Sequence, residues 1–189
     1  LLTINPENLD SEEQELINNA ENIYILGGTS RISEDFENLA NFRGRFSGSD
    51  RFETAVNVAE ELGTDRPLTI VNGINYVDAI TSTPMSALEN RNILLVESNN
   101  IPQSTRNYLE TYAYGQDVLF VGGLNSISKE VKDEILQITG NDIDSQSVTL
   151  AGDNRYQTSL EIAKRAEYGS DLLLVDGSNY EMAINSANL

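Results

Sequence analysis

The sequence predicts an α/β fold, an open parallel sheet covered by helices on both faces in an α/β/α sandwich. Three observations carry this. The candidate strands Asn22 to Leu26, Leu68 to Val71, Ile93 to Val96 and Val118 to Val121 are solidly apolar, as strands buried on both faces must be. They alternate with helical patterns of about ten to twelve residues, and right-handed crossovers between parallel strands then place helices on both sides. Finally, Gly48-Ser49-Asp50-Arg51-Phe52-Glu53-Thr54-Ala55 returns about a hundred residues later as Gly152-Asp153-Asn154-Arg155-Tyr156-Gln157-Thr158-Ser159, which marks an internal repeat.

Taken in order, residues 8–19 read as a surface helix with Leu9, Leu16 and Ile17 as its apolar points. The run Asn22 to Leu26 ends in Gly27-Gly28, a buried strand entering a tight turn, and Ser33 caps a helix reaching about Leu39. This segment returns as Val118 to Gly123 with Ser128 as cap, so the chain opens with the tail of one repeat. Phe52, Ala55, Val56, Ala59 and Leu62 share one helical face, and Gly63 ends that helix. After the Leu68 strand, Gly73 turns the chain toward a helix over 78–88 interrupted by Pro84, which a helix tolerates only near its first turn or with a kink. Pro102 opens a helix to about Ala113, ended by Gly115, and a last helix spans 128–138. Asp171 to Val175 and Gly177-Ser178-Asn179-Tyr180 repeat the Leu68 strand and the Gly73 loop. The organisation expected is therefore residues 1–44 as the C-terminal part of a first repeat, 45–140 as a complete second and 147–189 as the N-terminal part of a third. Extra residues fall in the 139–146 connection, and the chain reads as an excised piece.

In the recurring motif, Asp50 and Asn154 are N-cap residues, and Glu53 and Gln157 three positions on complete capping-box spacings. Capping does not explain Arg51 and Arg155, because a cation in the first turn meets the positive end of the helix dipole. Each is expected to engage a carboxylate, a rim carbonyl of an adjacent lobe, or an anionic ligand.

With Gly48 to Ala55, the stretches Gly73-Ile74-Asn75-Tyr76-Val77-Asp78-Ala79, Ile93-Leu94-Leu95 and Gly122-Gly123-Leu124-Asn125-Ser126-Ile127-Ser128 stand in an order that resembles the clostridial cell wall binding repeat 2 family. The resemblance covers nearly the whole chain from Ile23 onward. It implies tandem Rossmann-like or toprim-like repeats, normally three, around a pseudo-threefold axis. It further implies a non-catalytic module anchoring a secreted surface protein, associated with a surface array, to an anionic polysaccharide of a Gram-positive cell wall. Two departures bear on that expectation: Met182 stands where the repeat has Asp78, and the third copy is incomplete.

Composition narrows the alternatives. The chain has neither Cys nor His, which removes disulfides, thiolate chemistry and the commonest general base and metal ligand. Its net charge of −18 argues against nucleic acid as a partner, and no apolar run suggests membrane insertion. Arg43, Arg45 and Arg51 nonetheless cluster around the first motif and could form a local positive patch. The sheet rim, where ligands gather, carries Gly48 to Arg51, Gly73 to Asp78, Glu97 to Asn100 and Gly122 to Ser128. There is no phosphate-loop motif, and no cofactor is expected. Asp50, Asp78 and Glu97 are the best carboxylate set for metal-dependent chemistry, yet Asp78 reads more simply as an N-cap and no catalytic metal is expected. The candidate polymer-binding residues are Arg43, Arg45, Arg51, Arg155, Asn75 and Asp78, with Ile93, Leu94 and Leu95 implicated by the resemblance and read directly as buried strand. The alternatives are a sugar- or phosphate-processing α/β enzyme using rim carboxylates, and a purely structural array domain.

Overall fold

A computed structural model describes residues 2–142, 149–165, 174–178 and 184. Four parallel strands, β3 (Leu68–Asn72), β4 (Asn92–Val96), β5 (Val118–Val121) and β6 (Thr149–Leu150), form a sheet in the order β4-β3-β5-β6. A separate parallel pair joins β1 (Ile23–Leu26) to β2 (Phe42–Phe46). The expected parallel α/β architecture is present, divided over two sheets.

Two apolar layers sandwich the larger sheet. On one side Leu68, Ile70, Leu94, Val96, Val118 and Phe120 pack with residues of α2 (Arg51–Leu62), α4 (Gln103–Tyr112) and α5 (Lys129–Thr139). On the other, Val71, Leu119 and Val121 meet Met85 of α3 (Val77–Leu88) and Ile162 of α6 (Arg155–Arg165). Every residue of β3 and β5 is buried, as continuous apolar runs between two helical layers require. Burying each large aliphatic side chain contributes about 1.5–3 kcal/mol. β6 follows the second motif's connection, yet pairs with β5, so this sheet takes a strand from beyond residue 140.

Several local details differ from the sequence reading. The expected Ser33 helix is a 3-10 turn over Glu34–Asn38, capped by Ser33 as expected. Tyr24 and Leu26 of β1 are exposed and only Ile25 is buried, so this strand has one open face. Tyr24 stacks on Phe46 of β2. The first helix, α1 (Ser11–Asn19), is shorter than expected and starts at Asp10, which forms a reciprocal capping box with Glu13. Pro84 sits well inside α3, which continues past it. Ser82 and Thr83 hydroxyls, in the turn before it, donate to the Ala79 carbonyl. Pro102 is the N-cap of α4 rather than its first helical residue. Residues 139–142 of the expected connection are described; its remainder, most of the strand expected at Asp171 to Val175, and Asn179, Tyr180 and Met182 lie outside the described residues.

Candidate functional site

The strand order reverses direction at β3, since the chain runs from β3 to β4 on one side and returns to β5 on the other. Loops leaving neighbouring strands diverge at such a point and open a crevice at the carboxyl ends. A cavity of about 630 Å³ lies there, lined from four loops by residues that include Asn75, Asp78, Ser98, Ser126, Asn154 and Arg155.

Asn72, the last residue of β3 and 2% exposed, organises its walls. Its Nδ2 donates to the Ser126 carbonyl (2.7 Å) and to Ser98 Oγ (3.0 Å), while its Oδ1 accepts from the backbone N–H groups of Ile74 (2.7 Å) and Asn75 (2.8 Å). One amide thus joins the loops after β3, β4 and β5. Asp176, in the returning segment, makes the same turn by accepting from Ser178 N–H. The sequence reading passed over Asn72, although its place between an apolar strand and Gly73 was the available signal.

The recurring motif folds identically at both sites. Asp50 Oδ1 accepts from Phe52 and Glu53 N–H, and Asn154 Oδ1 from Tyr156 and Gln157 N–H. The expected capping boxes are corrected in one respect. Glu53 and Gln157 accept from Ser49 and Asp153 N–H, one residue before the cap, making a wider ring. Gly48 and Gly152 donate to Thr54 and Thr158 hydroxyls within that ring. A Cβ on Gly48 would stand 2.4 Å from Glu53 Cβ, and one on Gly152 2.3 Å from Gln157 Cβ, so closure of the ring demands glycine.

The arginines diverge. Arg51 Nη1 donates to the Gly73 carbonyl (2.8 Å), a rim carbonyl as expected, though of the loop its own helix packs beside rather than of an adjacent lobe. Among the described residues Arg155 has no hydrogen-bonded partner; it is exposed, lines the cavity and acts on Asp78 through space. Arg45 is paired with Glu37 (2.5 Å) and donates to the Gly27 and Ser33 carbonyls. Arg43 donates to Asn22 Oδ1 and to the Ala40 and Phe42 carbonyls. Arg43, Arg45 and Arg51 are therefore occupied within the protein and do not line the cavity.

Asp78 is not an N-cap, which corrects the simpler reading. Helix α3 begins one residue earlier, after Tyr76, whose side chain does not cap the helix, and Asp78 points from the first turn into the cavity, 8% exposed. Burial raises its pKa above the ordinary 3.8, while the Ser126 hydroxyl and the Arg155 charge pull it back down. The Ser126 hydroxyl oxygen is itself fully buried and has no well-aligned hydrogen-bond partner among the described residues. Gly122, at φ +113°, permits this close approach, because a Cβ there would lie 2.9 Å from Asp78 Oδ2 and 2.8 Å from Ser126 Oγ. Behind it the buried Lys132 donates from Nζ to the Gly122 carbonyl (3.1 Å) and sits 5.6 Å from the Phe120 ring centroid. Burial lowers the Lys132 pKa.

The carboxylate set Asp50, Asp78 and Glu97 is not brought together: Asp50 caps α2, and Glu97 accepts from Asn100. No group of three acidic residues among those described could hold a metal. Leu94 is buried in the larger core, with Ile93 and Leu95 packed partly buried on the opposite face, so this strand lies beneath the rim and outside the cavity lining. Asn75, Asp78 and Arg155 are the candidates the cavity unites.

A parallel α/β domain with a polar crevice at its strand-order reversal has the geometry of a ligand-binding site. Residues 45–132 match Cell wall binding domain 2 (CWB2), a family of cell-wall binding modules. The chain is 27% identical over 175 residues to the amidase enhancer of Bacillus subtilis (strain 168), covering 90% of this chain and 23% of that protein. It is 29% identical over 140 residues to N-acetylmuramoyl-L-alanine amidase LytC of the same organism, covering 72% and 26% respectively. Cwp8 from Clostridium difficile superposes with a TM-score of 0.67 at 28% identity, over 83% of this chain and 27% of that one. Cwp6 from the same species superposes with a TM-score of 0.72 at 22% identity, over 84% and 26%. The chain thus spans about a quarter of the length of these relatives. Among the described residues no helix is long and apolar enough to cross a membrane.

Proposed function

We propose that the chain is a non-catalytic anchoring module that holds a secreted surface protein to an anionic polysaccharide of the Gram-positive cell wall. The observation that carries this reading is the cavity at the β3–β5 reversal, which gathers Asn75 and Asp78 from the β3–α3 junction, within the CWB2 match, and Arg155 from the start of α6, beyond it. Arg155 is its polymer-facing cation. Arg51 holds the Gly73 loop in place, Arg43 and Arg45 brace the β1–β2 pair, and Ile93, Leu94 and Leu95 support the rim from the core.

The module is built from tandem Rossmann-like repeats, with parts of a first and third repeat flanking residues 45–140. The identical hydrogen-bonded turns at Gly48 and Gly152 support this. So does the parallel pairing of β2 with β1 and of β6 with β5, in which the strand before each motif joins a strand of the segment ahead of it. Neighbouring repeats then share each cavity, and a pseudo-threefold arrangement would present several along one polymer, where weak sites add through avidity.

The test is sedimentation of the chain with Gram-positive walls before and after acid extraction of their anionic polymers. Binding is expected to intact walls and to be lost on extraction, and Arg155→Gln is expected to weaken it. Equal sedimentation with extracted walls contradicts the proposal.

A further inference from the structure

The cavity's own chemistry is poorly suited to the charged groups of a polyanion. Its ionisable lining is Asp78, Asp153 and Arg155, a net negative set, and the remaining polar lining is amide and hydroxyl groups. An anionic group entering it would face the Asp78 carboxylate, which is 8% exposed, makes no ion pair among the described residues and has only the Ser126 hydroxyl and the Arg155 charge to offset it. A hydroxyl answers this deficit. It donates to the carboxylate, and at the same time it accepts from Arg155 or pairs with the buried Ser126 hydroxyl, which makes no well-aligned hydrogen bond among the described residues. Ile74 and Leu124, 57% and 64% exposed, flank the same cavity and offer apolar contact to the C–H face of a ring. A volume of about 630 Å³ suits a small ligand, within the usual range of roughly 300–1,000 Å³.

We propose that this cavity is a subsite for a neutral sugar ring, with Asp78 accepting from its hydroxyls beside Ser126 and Arg155, and Ile74 and Leu124 packing against its C–H face. This rests on the anchoring reading and refines it. The polymer's neutral residue enters the cavity, and its anionic linkages stay outside in solvent, so a protein of net charge −18 need not bury a second set of negative charges.

The test is a two-dimensional amide NMR titration of the full chain with methyl glycosides of glucose, mannose, galactose and their N-acetylamino counterparts, and separately with inorganic phosphate, alongside wall sedimentation. At least one glycoside is expected to shift the Gly123 and Ser126 amides saturably, with phosphate leaving them in place. Asp78→Asn, which preserves shape, is expected to weaken that glycoside roughly tenfold or more, and Ser126→Ala to weaken it less. The subsite is overturned if no glycoside shifts these amides, if phosphate shifts them and competes, or if Asp78→Asn binds as the parent does. Should walls still sediment the chain in any of those cases, anchoring stands and the subsite alone falls. Glycoside binding without sedimentation upholds the subsite and removes the anchoring.

Discussion

The two rims of the larger sheet treat charge in opposite ways. At the amino ends of the strands Arg91, buried at the start of β4, donates to Glu89, to Asp117 and to the Leu68 carbonyl, and Arg165 of α6 adds two bonds to Glu89. Those groups satisfy one another and tie α3, β3, β5 and α6 into one end of the molecule. At the carboxyl ends Asp78 is comparably buried but makes no ion pair among the described residues, the Ser126 hydroxyl beside it makes no well-aligned hydrogen bond there, and Arg155 is exposed where it lines the cavity. A buried polar group left unpaired costs free energy. The amino rim is the stabilising end, then, and the carboxyl rim carries a cost that a ligand can offset.

Breaking the amino rim should give the largest effect. Arg91→Ala leaves the Leu68 carbonyl and two carboxylates without their donor, and a loss of roughly 3 kcal/mol is expected in urea unfolding, with cavity chemistry unchanged. Next comes Gly122→Ala at the carboxyl rim. A positive φ combined with the approach to Asp78 and Ser126 should cost roughly 2 kcal/mol and close the cavity, read as lost stability and lost wall binding together.

The strands and helix starts beneath this contrast were legible in the sequence, whereas the charge pairing at the amino rim was not. Apolar runs located β3, β4 and β5, because strands covered on both faces must be continuously apolar. The recurring Gly-x-x-Arg motif located both helix starts. What remained hidden was set by tertiary geometry. Nothing in Arg51 and Arg155 separately reveals that one reaches a carbonyl and the other does not. Nor does the position of Asp78 show that α3 begins one residue earlier and turns the carboxylate inward. The apparent cluster of Arg43, Arg45 and Arg51 was an effect of sequence proximity, since β2 points Arg45 toward Glu37 and Arg43 toward Asn22.

A smaller and opposite effect separates the rims by pH. Arg165 and Arg91 hold the Glu89 pKa below its ordinary 4.5, so its contribution is present above that value and is lost as pH falls through the lowered one. Asp78 has a raised pKa, so the fold favours its protonated form and its burden on stability grows as pH rises above 3.8. Thermal unfolding across pH 3 to 7 is expected to show Glu89→Gln converging on the parent at the acid end, as the parent loses this contribution. The smallest effect is expected for Arg155→Gln, within about 0.5 kcal/mol of the parent because an exposed side chain without a hydrogen-bonded partner is removed.

Asp78→Asn measured for both stability and wall binding tests most directly whether the carboxyl rim is kept costly for the sake of a ligand. The expected result is a variant more stable than the parent by roughly 0.5 to 2 kcal/mol at pH 7, with that gain shrinking as pH falls toward 3.8, and with weakened binding to intact walls. A variant that is less stable than the parent at pH 7, or that binds walls equally well, would contradict the account.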